Sequence, residues 1–445
     1  MGGVDRRTFI AAGGAAAVAA AAPGQAAAAP AQVAAAKRRK RPKPPLGSGG
    51  TPMSPEQLAG LARELGRGHP VLFLDLAALD QNLRTVVGFA SAQGWGVRPA
   101  LKSFRSPALI SYLLNRLPQP RGLVFGLREV DPIVAQAPRN TDLMTGYPPT
   151  FGELADFLAT KPPKGQRAHR LRILVDSVPL MEHLGKLART SRRRLPLEVA
   201  LELDVGMGRG GVNDRDELAA CLDVLRAERD RLRLTAVLGY DGHATLRGDA
   251  EYRRLVAAQA QDSYRTHLAN LSELGAGLYD EATLIRNGPG SSNYRNWPGG
   301  PANEVGCGSA FLYAGYLNGG YDTEGLAPAL AMAGAVRRIT SDHPSAPVLG
   351  VAQPGASEME IIVQGVGTAA ELVHPPGARE DEASGGGDAL VVPKGSVALG
   401  GYVLYRPEQT EVGIQRFNEM VAVRDGRVLR SWPVFKRPGA RNLAP

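Results

Sequence analysis

Cysteine is nearly missing from this chain. Cys221 and Cys307 are the two it has among 445 residues. That is too few for a disulfide framework, and a single bridge between them is the most the composition allows. No Cys and His residues fall at zinc-ligand spacing. Beyond residue 30 no apolar run reaches the roughly 20 residues needed to span a bilayer, which argues against stable membrane insertion. Excess charge is also missing from most of the chain. The formal net charge is +9, but the first 50 residues hold eight basic side chains (Arg6, Arg7, Lys37, Arg38, Arg39, Lys40, Arg41 and Lys43) against Asp5 alone. That leader carries +7, so the rest carries +2. A nucleic-acid-binding protein should show its basic face on the folded domain, and this chain does not. Lys37–Lys43 reads as a solvated linker flanked by proline.

A hydrophobic content of 44% suffices for a large core and for two domains. The start of the chain reads as an export signal. Asp5-Arg6-Arg7-Thr8-Phe9-Ile10 precedes an Ala/Gly-rich run to about Ala22, and Pro23 and a further Ala-rich stretch follow. The adjacent arginines resemble a twin-arginine signal. They predict export to the periplasm or beyond, with the twin-arginine machinery as a partner.

Residues 1–50 form signal and flexible linker. Ser54-Pro55-Glu56-Gln57 opens a helix, with Ser54 as its cap, that runs to about Leu65. Val71–Leu76 is a strand and Ala78–Ala92 an amphipathic helix. A repeat of strand then helix follows. Its strands are Val97–Leu101, Leu123–Leu127, Asp142–Thr145, Leu171–Val175, Leu197–Leu203, Leu234–Leu238, Ala282–Arg286 and Glu304–Cys307. These are short apolar runs, as expected of strands buried on both faces. Helical stretches such as Thr150–Thr160, Val178–Thr190, Asp214–Glu228 and Asp249–Glu273 lie between them. Eight such units predict an α/β fold with a (β/α)8 barrel over residues 51–320. After residue 320 the rhythm becomes mainly β: Ala329–Ile339, Ser357–Gly365, Ala389–Val392, Ser396–Tyr405, Met420–Arg424 and Arg427–Trp432. Arg424-Asp425-Gly426 is the turn between the last two, and Pro375–Gly387 is a polar loop. Residues 321–445 are therefore a second, mainly β domain, with which the Val71 strand can pair.

Active-site groups of a β/α barrel come from the C-terminal ends of its strands. Lys102 follows the first strand, Arg209 the fifth, His243 the sixth, Gly288–Ser292 the seventh, and Gly308-Ser309 the eighth, so all converge on one mouth. That set is what a barrel enzyme holding pyridoxal phosphate needs. A lysine amine condenses with the cofactor aldehyde and then serves as a base. Arg209 donates to the cofactor hydroxyl or bridges to a carboxylate. His243 stacks on the pyridine face. Gly288, Gly290, Ser291, Gly308 and Ser309 supply backbone N–H and hydroxyl donors for the phosphate. Arg105 is a candidate for a substrate carboxylate.

The strings Arg-Pro-Ala-Leu-Lys-Ser (98–103), Leu-Asp-Val-Gly-Met-Gly-Arg (203–209), Gly-Tyr-Asp-Gly-His (239–243), Gly-Pro-Gly-Ser-Ser (288–292) and Glu-Val-Gly-Cys-Gly-Ser (304–309) resemble the alanine-racemase-like (fold type III) pyridoxal-phosphate family. Within it they are most similar to the D-threonine aldolase and D-serine dehydratase branch. The resemblance covers about residues 65–435. It implies a lysine–cofactor imine at Lys102, Arg209 and His243 flanking the ring, catalytic roles for Lys102 and His243, and phosphate contacts at 288–292 and 308–309. It also implies a homodimer and a small amino-acid substrate. Two departures stand out. Pro407–Asn418, where lyases of the branch carry a metal-binding pair, holds no His, Cys or Asp, and Glu408 and Glu411 are weak substitutes. No metal site is therefore assigned. Phe104 stands where many members have histidine. The resemblance implies an aldolase or dehydratase acting on D-amino acids or β-hydroxy amino acids. The alternatives are a racemase, using Lys102 and a partner's Tyr402 or Tyr405 on opposite faces, and a non-catalytic carrier of the cofactor.

Overall fold

A computed structural model describes residues 49–166, 169–193, 196–247, 249–318, 321–340, 354–364, 366, 370–381 and 389–435. The predicted export signal and nearly all of the linker lie outside the described residues.

Strand β1 (Val71–Asp75) precedes the barrel, whose own strands are β2 (Gly96–Val97), β3 (Arg121–Val124), β4 (Thr141–Thr145), β5 (His169–Val175), β6 (Leu197–Glu202), β7 (Leu232–Leu238), β8 (Ile285–Asn287) and β9 (Glu304–Val305). All neighbours pair in parallel in the order β2-β9-β8-β7-β6-β5-β4-β3, and a bridge from Ala100 to Leu123 brings the two ends of the sheet together. Every predicted barrel strand is present. The first is shorter than predicted and stops at Val97, and the chain then passes Pro99, which has no N–H to offer a ladder, into a tight turn over Leu101–Ser103. Leu127 likewise belongs to a turn rather than to β3.

The helices between strands start where short polar side chains can cap them. Thr150, Asp214 and Asp249 accept from backbone N–H groups of Phe151–Ala159, Arg215–Ala227 and Ala250–Leu274. Ser54 and Gln57 form a reciprocal capping box on Pro55–Gly66. Two helices that the sequence did not announce, Pro107–Arg116 and Val130–Gln136, complete the outer ring. Inside the barrel, Ala100, Leu123, Met144, Leu174, Ala200, Ala236, Leu238 and Ile285 make an apolar layer.

The second sheet comprises β10 (Leu330–Ile339), β11 (Glu358–Val363), β12 (Ala370–His374), β13 (Arg379–Glu380), β14 (Ala389–Pro393), β15 (Tyr402–Pro407), β16 (Glu419–Arg424) and β17 (Arg427–Pro433), together with β1. β1 pairs antiparallel with β10 and parallel with β16, so the strand that precedes the barrel lies in the middle of the C-terminal sheet. The β16–β17 hairpin turns at Asp425 and Gly426, both at positive φ (49° and 72°), as a two-residue turn of that hand requires. Three expectations need correction. Residues 396–401 form turns closed by hydrogen bonds such as Gly401 N–H to Ala398 C=O, and the strand starts at Tyr402. The segment expected to be a loop from Pro375 contains β13, with residues 382–388 outside the description. The short helix Thr410–Gln415 follows β15 unannounced. Among the described residues no helix is long and apolar enough to cross a membrane.

Candidate active site

A cavity of about 630 Å³ opens at the C-terminal ends of the barrel strands. Its wall brings together Lys102, Arg209, Gly288, Gly290, Ser291, Gly308 and Ser309, all of them singled out in the sequence. Tyr147, Tyr240, Asn287, Tyr316, Tyr321, Gln409 and Glu411 share that wall.

The turn that ends β2 presents Lys102. Its Nζ lies 4.9 Å from the centre of the Phe125 ring and 5.8 Å from that of Tyr147, positions in which an ammonium is held by the ring faces. The Glu411 carboxylate, from the C-terminal sheet domain, stands 3.6 Å from the same nitrogen.

Arg209 is carried by the glycine-rich loop after β6. Leu203 bridges to Val212 at the base of that loop, and Gly206 and Gly208 N–H groups donate to Asp204 Oδ1 at 2.8 and 3.2 Å. Gly206, Gly208, Gly210 and Gly211 all have positive φ, which explains the glycine spacing. The guanidinium donates to Glu202 Oε1 from Nε (3.2 Å) and Nη2 (2.9 Å), and it lies 4.8 Å from both the Tyr147 and Tyr240 ring centres. Burial pushes the Glu202 carboxyl above its usual range, against the pull of Arg209. Arg209 therefore bridges to a carboxylate, one of its two expected roles, and is clamped between rings.

Asp241 organises the loop after β8. It is fully buried and accepts from Gly290 N–H (3.2 Å), Asn293 Nδ2 (2.8 Å) and Trp297 Nε1 (2.8 Å). Burial raises its pKa despite those donors and the nearby His243. Ser291 Oγ accepts from Gly308 N–H (2.9 Å) and Ala310 N–H (3.2 Å), which ties the loop after β8 to the loop after β9. Neither loop could carry side chains at its closest points. A Cβ on Gly290 would lie 2.6 Å from the Tyr240 ring, and one on Gly308 would lie 2.5 Å from Ser103 Oγ.

Other candidates end elsewhere. His243 is not among the lining residues. Its ring packs behind Gly206, and among the described residues both its nitrogens are buried without a hydrogen-bond partner. Arg105 turns away from the mouth and pairs with Glu129 at 3.4 Å, so the expected contact with a substrate carboxylate is corrected. Phe104 is wholly buried against Phe311. Tyr402 and Tyr405 are buried in the sheet of their own chain, where the Tyr402 hydroxyl donates to His69 C=O at 3.1 Å, so neither is placed to serve a neighbouring subunit. Cys221 and Cys307 are both free and buried.

The residues present suit pyridoxal phosphate. A lysine amine faces a cavity walled by rings. The N–H groups of Gly288, Gly290 and Gly308, expected as phosphate donors, are taken by Glu304 C=O, Asp241 and Ser291 Oγ, whereas those of Ser291 and Ser309, which line the cavity, find no partner among the described residues and can take a phosphate. Among the described residues, no three His, Cys, Asp or Glu side chains gather as metal ligands. The sequence reading missed Tyr147, Glu202, Tyr316, Tyr321 and the organising role of Asp241. Tyr147 had a signal in its place just after a strand end, and Asp241 stood inside a quoted motif.

Comparison with known proteins adds to this geometry. Residues 154–314 match the family described as alanine racemase, N-terminal domain. No curated protein matches the chain. The D-threonine aldolase of Filomicrobium marinum is similar in structure with a TM-score of 0.65 at 20% identity, over 82% of this chain and 94% of that one. The D-threo-3-hydroxyaspartate dehydratase of Delftia sp. HT23 gives 0.64 at 18% identity, over 82% and 97%. The alanine racemase of Bacillus anthracis gives 0.58 at 16% identity, over 82% and 97%. With a barrel closed in this order and a mainly β sheet built around β1, the chain has the alanine-racemase-like, type III fold, and residues 154–314 match the model of that family's N-terminal domain.

Proposed function

We propose that this chain is an exported pyridoxal-phosphate enzyme that acts on D-amino acids or β-hydroxy amino acids as an aldolase or dehydratase. The observation that carries the reading is the Lys102 amine, set in a ring-walled cavity at the barrel mouth and faced by two loops with free backbone donors. Bound there, pyridoxal phosphate would supply an electron sink for negative charge at the substrate α-carbon.

The chain's own residues do the rest. Lys102 offers the amine that fixes the aldehyde and, when released, a nitrogen that takes or gives a proton. The Ser291 and Ser309 N–H groups would hold the phosphate. Arg209, held by Glu202 and stacked between Tyr147 and Tyr240, fixes one edge of the ring. His243 supports the loop around Gly206 from behind. Phe125, Tyr147 and Tyr240 line and narrow the cavity. The similarity of the fold to an aldolase and a dehydratase supports a lyase. A racemase needs a second proton carrier across the α-carbon; Tyr402 and Tyr405 are held inside the sheet, while Tyr147, Tyr240, Tyr316 and Tyr321 line the cavity.

Borohydride reduction of the cofactor-loaded protein followed by peptide mapping should place the label on Lys102. An unlabelled, colourless protein after soaking in pyridoxal phosphate would refute the reading. Release of glycine and an aldehyde marks an aldolase, and ammonia with a keto acid marks a dehydratase. Loss of optical rotation without a new product would instead establish a racemase. The homodimer is checked by sedimentation. Export through the twin-arginine route predicts that Arg6→Lys with Arg7→Lys retains the protein in the cytoplasm.

A further inference from the structure

We propose that Glu411 receives the β-hydroxyl of the substrate, which restricts the site to β-hydroxy amino acids with an uncharged β-substituent and favours aldol cleavage over dehydration. This inference rests on Lys102 as the cofactor-bearing residue.

The placement of Glu411 is built rather than incidental. It lies at the start of the helix Thr410–Gln415, next to Thr410, which is wholly buried. The segment is anchored on both sides: Gly413 N–H donates to Gln409 C=O at 3.1 Å, and Tyr316 N–H donates to Glu408 C=O at 3.4 Å. A Cβ on Gly413 would come within 2.6 Å of Pro407, so the helix sits tightly against the end of β15. One carboxylate oxygen of Glu411 accepts from the Thr410 hydroxyl at 3.2 Å, and the other faces Lys102 Nζ at 3.6 Å.

The charge balance of the cavity then decides what this carboxylate can bind. Lys102 and Arg209 are the cations in its wall. Arg209 is committed to Glu202, and among the described residues Lys102 is the cation within 4 Å of Glu411. Once the Lys102 nitrogen is bonded to an aldehyde carbon, it no longer offers Glu411 the three donors of a free ammonium. Glu411 Oε2 keeps the Thr410 hydroxyl, but Oε1 is left short of a donor, so the site gains most from a ligand that brings one. An amino acid that displaces Lys102 puts its own nitrogen where Nζ stood. Its β-oxygen is three bonds from that nitrogen, within reach of a carboxylate that stands 3.6 Å from Nζ. A hydroxyl there donates, a hydrogen cannot, and a second carboxylate is repelled.

The same carboxylate can accept the hydroxyl proton as the Cα–Cβ bond breaks. The oxygen becomes an aldehyde carbonyl, the electron pair stays at Cα, and a proton added at Cα completes glycine. Loss of hydroxide would need a proton given rather than taken, which Glu411 as a carboxylate does not supply.

The test uses the cofactor-loaded protein and Glu411→Gln, Glu411→Asp and Glu411→Lys. Binding is followed by the change in the visible spectrum on adding threonine, alanine or 3-hydroxyaspartate, each in all stereoisomers, with glycine release as a second readout. The native protein should bind its preferred threonine isomer roughly 10–100-fold more tightly than the matching alanine, the range for a hydrogen bond to a charged group. Glu411→Gln should lose most of that preference, Glu411→Asp should keep part of it, and Glu411→Lys should admit 3-hydroxyaspartate. An unchanged preference in Glu411→Gln, or tighter native binding of 3-hydroxyaspartate than of threonine, would overturn the inference. Borohydride labelling of every variant separates the two failures. A label on Lys102 with no change in preference defeats this inference alone, and no label in any variant defeats the functional reading beneath it.

Discussion

The two ends of the barrel hold similar side chains and use them in opposite ways. Below the mouth, Arg98, just after β2, and Glu304, at the start of β9, are wholly buried and paired at 2.6 Å. Arg98 also meets Asp142 at 2.9 Å, Arg121 meets the second oxygen of Glu304 at 2.6 Å, and Arg172 joins Asp142 to Glu198. Each of these charges is answered by a neighbour, and the Arg98–Glu304 pair is sealed from water. At the C-terminal ends, Lys102 and Glu411 are 32% and 23% exposed and meet only at 3.6 Å. The lower network satisfies itself, whereas the upper groups are arranged so that a ligand can replace a partner. Position along the strands therefore separates residues that hold the fold from residues that meet a ligand, as is general for such barrels.

Substitutions at each end should break this contrast in different ways. The largest effect is expected from Lys102→Ala, which should cost about 10²–10⁴-fold or more in activity and abolish the borohydride label. The same change should move stability by less than about 1 kcal/mol in urea unfolding. Loss of stability instead of chemistry would place Lys102 with the lower network. Glu304→Ala should do the reverse and destabilise by about 3–5 kcal/mol, because buried Arg98 keeps only Asp142 and Arg121 loses its carboxylate. Gly290→Ala should cost roughly 1–3 kcal/mol, since the new methyl meets the Tyr240 ring. It should also weaken retention of added pyridoxal phosphate, measured by gel filtration.

The smallest effect is in the response to pH. Burial alone would raise Glu304 and Asp142, but the surrounding arginines outweigh it and hold both below the usual carboxylate range. Their stabilisation is present above the unfolded-state values and is lost as pH falls through the folded-state values. Glu202 and Asp241 have the opposite sign, because burial raises both. Charging them costs stability as pH climbs from the unfolded-state value through the folded-state one. Urea midpoints taken from about pH 3 to about pH 7 should therefore show Asp241→Asn becoming relatively less destabilising toward the upper part of that range, and a loss for Glu304→Gln that shrinks toward the acid end. Parallel pH profiles for the two variants would contradict the difference between the barrel ends.

The sequence by itself determined the elements. Short apolar runs set off by capping residues such as Asp214 and Asp249 specify all eight barrel strands and most of the helices, because hydrophobic period and cap chemistry act over a few residues. The Asp425-Gly426 turn was legible for the same local reason. So was the gathering of Lys102, Arg209 and the two glycine–serine loops, since each follows a strand end. What only the tertiary structure decided lies between distant segments. β1 pairs with the C-terminal sheet as expected but takes a place between β10 and β16 that nothing local specifies, Arg105 turns to Glu129, His243 is set behind Gly206, and Glu411 is carried from the sheet domain to within 3.6 Å of Lys102. No local pattern encodes such meetings. They follow from how sheets pair and helices pack over the whole chain, and at this barrel mouth that packing chose which carboxylate the lysine would face.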